Sequence, residues 1–265
     1  MDNGQARDAA YRIVGVVHLR ALPGSVRGAS ARSFQSILDL ARRDALTYAE
    51  GGANAIIVEN FGDVPFVKNQ VAPVTVAAMT RAVTAISDAS GLPVGVNVLR
   101  NDVISAVAIA AVSGGTFVRA NVYVGAAVTD QGLIEGRAAE VQALIESLDT
   151  PVAVWADVDV KHAAPLAARP IGELAEDAVE RGLAAAVIVS GRATGAPAAV
   201  EDLRVVRQAL PTAPVYVGSG VTVATLPALL EIADGAIVGT AAKVDGIISN
   251  PVSAKRVSAL VAAAR

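Results

Sequence analysis

Eight short apolar runs, each closed by polar residues or glycines, recur along this chain with room for one helix between neighbours. The first is Ile13-Val14-Gly15-Val16-Val17, ending at His18, and the second is Ala55-Ile56-Ile57-Val58, ending at Glu59-Asn60. Residues 94–98 hold Asn97, residues 116–121 hold Arg119 and end at Asn121, and residues 152–157 end at Asp157. Ala186-Val187-Ile188-Val189 runs into Ser190, Val215-Tyr216-Val217 into Gly218-Ser219-Gly220, and Ala236-Ile237-Val238 into Gly239-Thr240. Runs this short and this rich in Val, Ile and Ala suit parallel strands buried on both faces. Helical patterns follow them at 34–50, 75–90, 102–113, 133–147, 171–181 and 200–210, then after Gly220, and at 251–264. A strand–helix unit of roughly 30 residues is the size of a βα crossover, and eight of them predict a single (β/α)8 TIM barrel over residues 1–265. A doubly wound sheet is the rival fold. It needs fewer strands and a glycine fingerprint after the first, where this chain has His18-Leu19-Arg20.

The last two strand ends carry the sharpest functional signal. Glycines let backbone N–H groups approach a ligand closely, and helix starts behind them favour an anion. Gly218, Ser219, Gly220, Gly239 and Thr240 therefore form the phosphate-binding cup expected after strands 7 and 8 of such a barrel.

In a barrel every strand's C-terminal end faces one mouth. The expected mouth collects His18, Glu59, Asn60, Asn97, Arg119, Asn121, Asp157, Lys161, His162 and Ser190 beside the cup. Asn60, Asn97, Arg119, Asn121 and Ser190 are expected to grip substrate. Asp157, Lys161 and His162, with His18 and Glu59, form the chemical group: a carboxylate beside a lysine shifts both toward acid–base work, and a desolvated lysine can attack a carbonyl. Plainer readings stand beside these. His18 can simply cap its strand, Lys161 can be a solvated loop cation, and Glu59 with Arg119 can be a buried ion pair that fixes register.

Composition narrows the setting. With 53% hydrophobic but only 3% aromatic residues, the core must be built mostly from Ala, Val, Ile and Leu. A net charge of −3, spread along the chain, points to neither a nucleic-acid polymer nor an anionic membrane. The absence of cysteine removes disulfides, thiolate metal sites and a cysteine nucleophile. No stretch reaches the ~18 uninterrupted apolar residues of a membrane span, and the polar N-terminus lacks a signal-peptide core. A cytoplasmic protein is the expectation. No organic cofactor is indicated. A divalent metal held by His18, Glu59, Asp157 and His162 is the less favoured alternative, since no tight ligand spacing supports it.

The ordered motifs resemble one family. His18-Leu19 with Leu22-Pro23-Gly24, V-E-N-F-G-D-V-P-F from Val58, G-V-N-V-L-R-N-D from Gly95 and F-V-R-A-N-V from Phe117 are similar to the BtpA family, which includes SgcQ-like proteins. T-D-Q-G-L-I-E-G from Thr129, A-D-V-D-V-K-H-A from Ala156, S-G-R-A-T-G from Ser190 and the two glycine segments extend the match over nearly the whole chain. The resemblance implies a ribulose-phosphate-binding barrel. It implies a reaction less firmly, because the family takes its name from members linked to photosystem I biogenesis while others accompany sugar metabolism.

Three functions follow as expectations. The first is an enzyme acting on a phosphorylated sugar or nucleotide-like phosphate ester by aldolase, lyase or isomerase chemistry. The second is a non-catalytic assembly or stability factor of the photosystem I biogenesis type. The third is a metal-assisted hydrolase. The expected partner is a small phosphorylated substrate, with self-association into a homo-oligomer left open.

Overall fold

The computed structural model describes residues 11–28, 34–158, 163–191 and 200–265. The strands in chain order begin with β1 (Ile13–His18), β2 (Ala55–Glu59), β3 (Val94–Asn97) and β4 (Phe117–Ala120). There follow β5 (Ala126–Thr129), β6 (Gly132–Glu135), β7 (Ala153–Val158) and β8 (Ala163–Pro165), then β9 (Ala186–Val189), β10 (Val215–Val217) and β11 (Gly235–Val238). Eight of them close a parallel barrel in the order β1-β2-β3-β4-β7-β9-β10-β11, with β11 pairing back to β1. The helices are α1 (Phe34–Glu50), α2 (Pro73–Ser90), α3 (Val103–Ser113), α4 (Ala138–Ser147), α5 (Ile171–Glu176), α6 (Val200–Ala209), α7 (Leu226–Leu230) and α8 (Ala254–Ala263). This is the TIM barrel that the strand–helix alternation predicts.

Two boundaries differ from the sequence expectation. Residues 133–135 were expected to begin a helix; they form β6 and pair antiparallel with β5, and the helix starts at Ala138. β8 adds to the other side of β5, giving a small sheet in the order β6-β5-β8. Both insertions leave from the C-terminal ends of barrel strands. The run expected as one helix over 171–181 is α-helical to Glu176 and then π-helical from Asp177–Arg181.

Strand alternation divides the core into two shells. Ile13, Val17, Ile56, Val58, Val94, Val96, Val118, Val154 and their like pack outward against the helices. Val14, Val16, Ala55, Ile57, Phe117, Trp155, Ile188, Tyr216 and Ile237 point into the barrel. The outer shell is mostly aliphatic, with Tyr48 and Tyr123 in it. Three aromatics stack inside: Phe117 on Trp155 at 4.1 Å and Trp155 on Tyr216 at 4.1 Å between ring centroids. They plug the barrel one layer below the strand ends.

The seam between β11 and β1 has its own fastening. Tyr48 of α1 is fully buried and lies over Gly15, where an added Cβ would sit 2.5 Å from its ring. Its hydroxyl shares its proton between Val16 O at 3.2 Å and Val238 O at 3.1 Å, one acceptor on each strand of the seam.

Candidate active site at the barrel mouth

Two residues beyond each inward-facing apolar side chain, the same alternation turns a polar group into the barrel: His18 after Val16, Glu59 after Ile57, Arg119 after Phe117, and Asp157 after Trp155. Register aligns them, pairing His18 with Glu59 and Glu59 with Asn97.

Arg119 is the centre of this layer. Its Nε and Nη2 donate to the two oxygens of Asp157 at 3.0 and 2.9 Å, and its Nη1 donates to Glu59 Oε1 at 3.3 Å. Asn97 Nδ2 donates to the same Glu59 oxygen at 3.0 Å, and Asn121 Nδ2 donates to Asp157 Oδ2 at 2.7 Å. The Arg119 side chain is 7% exposed and that of Asp157 is 0% exposed. Burial acts to lower the Arg119 pKa, but the adjacent Asp157 and Glu59 carboxylates outweigh it and hold the pKa above its ordinary value. The buried Glu59–Arg119 pair read from sequence is therefore present, and Asp157 joins it. With both oxygens engaged by Arg119 and Asn121, Asp157 serves first as the anchor of the guanidinium.

Above this network lies a cavity of about 440 Å³. Its wall includes His18, Glu59, Asn97, Arg119 and Asn121 on one side and Gly218, Ser219, Gly220, Gly239 and Thr240 on the other. The structure thus brings the glycine segments and the strand-end polar groups to one space. Asn97 Oδ1 and Asn121 Oδ1 are buried and accept no hydrogen bond among the described residues. Buried carboxamide oxygens normally find a donor, so these two suit a ligand's hydroxyl or N–H groups. His18 packs against the cup: a Cβ on Gly239 would lie 2.9 Å from its Cε1. The imidazole meets Phe61 edge-on at 4.9 Å.

Within the cup, the Gly218 amide donates to Val189 O at 2.8 Å, and the Ser219 hydroxyl accepts from the Gly191 amide at 2.8 Å. Both contacts hold the cup against the end of β9. The expected helix starts are modest: α7 begins six residues after Gly220, and only a 3-10 turn, Thr240–Ala242, follows Gly239. Positive charge at the cavity comes instead from guanidinium groups.

One of these was missed in the sequence. Arg100, which the sequence reading did not single out, is buried and lines the cavity. Burial pushes its pKa down, opposed mainly by Asp130 and Asp157. Its position just past a strand end was the available signal.

Other expected site residues sit elsewhere. Asn60 has the parity opposite to Glu59 and does not line the cavity. Its Oδ1 accepts from the Leu99 amide at 2.7 Å and its Nδ2 donates to Asp63 Oδ2 at 3.1 Å, fixing the loop after β2 to that after β3. Ser190 is buried below the cup, outside the cavity wall. Lys161 and His162 lie outside the described residues, in the sequence between β7 and β8. Among the described residues, no three His, Asp or Glu side chains form a group that could hold a metal ion. No helix among them is long and apolar enough to cross a membrane.

Fold and mouth together define a (β/α)8 barrel with a polar pocket at the C-terminal ends of its strands. The chain belongs to the BtpA family, whose model matches residues 10–265. It is 47% identical over 256 residues to an uncharacterised protein of Thermococcus kodakarensis, covering 96% of this chain and 95% of the relative. It is 42% identical over 263 residues to the photosystem I biogenesis protein BtpA of Synechocystis, covering 99% and 91%. Its fold is similar to that of N-(5'-phosphoribosyl)anthranilate isomerase from Pyrococcus furiosus, with a TM-score of 0.56, 12% identity, and 96% and 98% of the two chains covered. Orotidine 5'-phosphate decarboxylase from Pyrococcus horikoshii is similar at a TM-score of 0.57 and 14% identity, covering 96% and 99%.

Proposed function

We propose that this protein is an enzyme acting on a small phosphate ester, a phosphorylated sugar or a nucleotide-like compound, by acid–base chemistry of the aldolase, lyase or isomerase type. The observation that carries the reading is the shared cavity: the glycine segments and the Glu59–Asn97–Arg119–Asn121 layer line one space. In this reading Gly220, Gly239 and Thr240 receive the phosphate, with Gly218 and Ser219 shaping the cup. Asn97 and Asn121 accept from substrate hydroxyls through their unsatisfied oxygens, and Arg119 or Arg100 polarises a carbonyl oxygen. Glu59 and His18, both on the cavity wall, exchange protons at the adjacent carbon. Lys161 and His162 remain candidates for a second acid–base group or a carbonyl-attacking amine. The names of the structural neighbours, a phosphoribosyl isomerase and a 5'-phosphate decarboxylase, agree with the substrate class.

A second reading comes from the Synechocystis relative, whose name assigns it to photosystem I biogenesis. A pure assembly factor has no need of a solvent-reached layer of buried charge, so the enzyme reading is preferred.

The test is a thermal-shift screen against sugar phosphates and nucleotides. A ligand at about 100 times its Kd adds about 2.7 kcal/mol to stability, so a true ligand gives a clear rise in Tm. Ser219→Asp, which places a carboxylate in the cup, should remove that rise. A ligand shift that survives Ser219→Asp counts against the cup, and the absence of any shift across the phosphate panel counts against the substrate class.

A further inference from the structure

One wall of the mouth is made by the chain that follows β11. After Gly239 and the 3-10 turn Thr240–Ala242, the chain loops out from Lys243 and returns at Val252 before α8. The two ends of this loop lie side by side. Lys243 and Val252 form an antiparallel bridge, the Val244 amide donates to Pro251 O at 2.9 Å, and the Ser253 amide donates to Ala242 O at 2.9 Å. Within the loop, the Ile247 amide and Asn250 Nδ2 both donate to Val244 O, at 3.2 and 3.1 Å. A compact loop with adjacent ends and its own internal bonds is an Ω-loop, a form that frequently carries function. Its tip reaches the mouth, where Gly246 and Ile248 line the cavity that holds the cup. Asp245 turns the tip at a φ of 55°, a left-handed conformation that costs a non-glycine residue and persists where the surroundings impose it.

One buried carboxylate holds the neck of the loop. Lys243, 2% exposed, donates through Nζ to Asp44 Oδ2 at 2.7 Å, and Asp44 Oδ1 accepts from the Val252 amide at 3.1 Å. The two oxygens of a single side chain on α1 therefore take both strands of the neck. Arg43 pairs with the same Oδ1 at 3.6 Å. One helical turn further along α1, Tyr48 donates to Val238 O, the residue just before Gly239. One face of α1 thus grips the chain on either side of residues 239–242, the arm of the cup. Desolvation makes a buried ion pair a poor source of stability, and apolar residues of similar volume commonly do as well or better. What an apolar pair lacks is direction. A carboxylate that must meet an ammonium and an amide together fixes where the neck can lie.

We propose that Asp44 and Lys243 are positioning residues for the mouth. They set the loop of residues 243–252 against the cavity and, with it, the Gly239–Thr240 arm of the cup. The effect on the cup rests on the phosphate-ester reading of the mouth. The placement of the loop does not, and it is measured separately.

Placement is separated from stability with the full chain and two substitutions. Lys243→Met takes the ammonium from a buried carboxylate and should lower Tm, and Asp44→Leu/Lys243→Met should recover much of that loss. In the double variant, held well below its Tm, two readouts should stay impaired. Hydrogen exchange at the Gly246, Ile247 and Asn250 amides should run about tenfold faster than in the parent, while α2 and the barrel strands keep their rates. Inorganic phosphate, titrated by calorimetry, should bind about tenfold more weakly. If the double variant does not fold, Asp44→Asn, which keeps one acceptor and releases one strand of the neck, gives the same two readouts. Exchange at the parent's rate overturns the proposal whatever phosphate does. Faster exchange with unchanged phosphate affinity also overturns it, because the loop then moves without the cup, and the phosphate reading stands. A parent that binds no phosphate overturns the phosphate reading, and the exchange rates then decide whether the pair places the loop.

Discussion

Arg119 satisfies two carboxylates at once at the floor of the mouth cavity, where its side chain is only 7% exposed. Removing it takes from the buried Glu59 and Asp157 the guanidinium that both of them bond, and breaking a buried pair in this way costs about 3–5 kcal/mol. Glu59→Gln keeps an acceptor for Asn97 and leaves Arg119 its bidentate bond to Asp157, so it should cost only about 1–2 kcal/mol. Urea unfolding of Arg119→Met and Glu59→Gln checks the order; a larger loss in the glutamine variant would contradict the network. At this scale much of the mouth was legible. His18, Glu59, Asn97, Arg119 and Asn121 follow from strand ends alone, and all five line the cavity. Parity also tells Glu59 from Asn60, since neighbours on a strand face opposite sides. The role of Asp157 as a holder of Arg119 was not legible, because it depends on which side chains meet across the barrel. Arg100 was missed for a related reason: it lies past the regular strand, where alternation no longer says where a side chain points.

At the scale of elements, Tyr48 ties α1 to the seam of the barrel, and its titration reports on that seam. Burial raises its phenol pKa above the ordinary 10.0, and the same cause raises that of Tyr216. The sign follows from the proton count: the native phenol keeps its proton where the unfolded one has lost it. Its contribution is therefore full below pH 10.0 and is lost as pH rises beyond it. Tyr48→Phe should lose about 1 kcal/mol at neutral pH with its hydrogen bonds, and should then decline less steeply than the parent in alkali. Urea midpoints compared at about pH 8 and about pH 11 decide it; parallel declines would mean that Tyr48 does not titrate with unfolding. The barrel strands were legible because each is a continuous apolar run closed by polar residues or glycines, and the longer helices because they show their period. The β5–β6 hairpin was not: its strands are four residues each, joined through Asp130-Gln131 without the Asn-Gly or Asp-Gly pair that marks such turns. The π-helical turn at Asp177–Arg181 leaves no trace in apolar spacing.

For the whole molecule, the closed barrel explains why polar residues far apart in sequence meet. Positions 18, 59, 97, 119 and 239 are each one step beyond a buried apolar stretch, and closure turns those steps into one ring. Below the ring, Phe117, Trp155 and Tyr216 stack inside the barrel and form the next layer. A phosphate ester in that mouth is the central claim, and the direct measurement is a crystal structure with a sugar phosphate bound. The account predicts phosphate density at Gly220, Gly239 and Thr240, with a ligand hydroxyl within hydrogen-bonding distance of Asn97 Oδ1 or Asn121 Oδ1. A sugar phosphate bound with its phosphate away from the glycine cup, or bound outside the mouth, would contradict it.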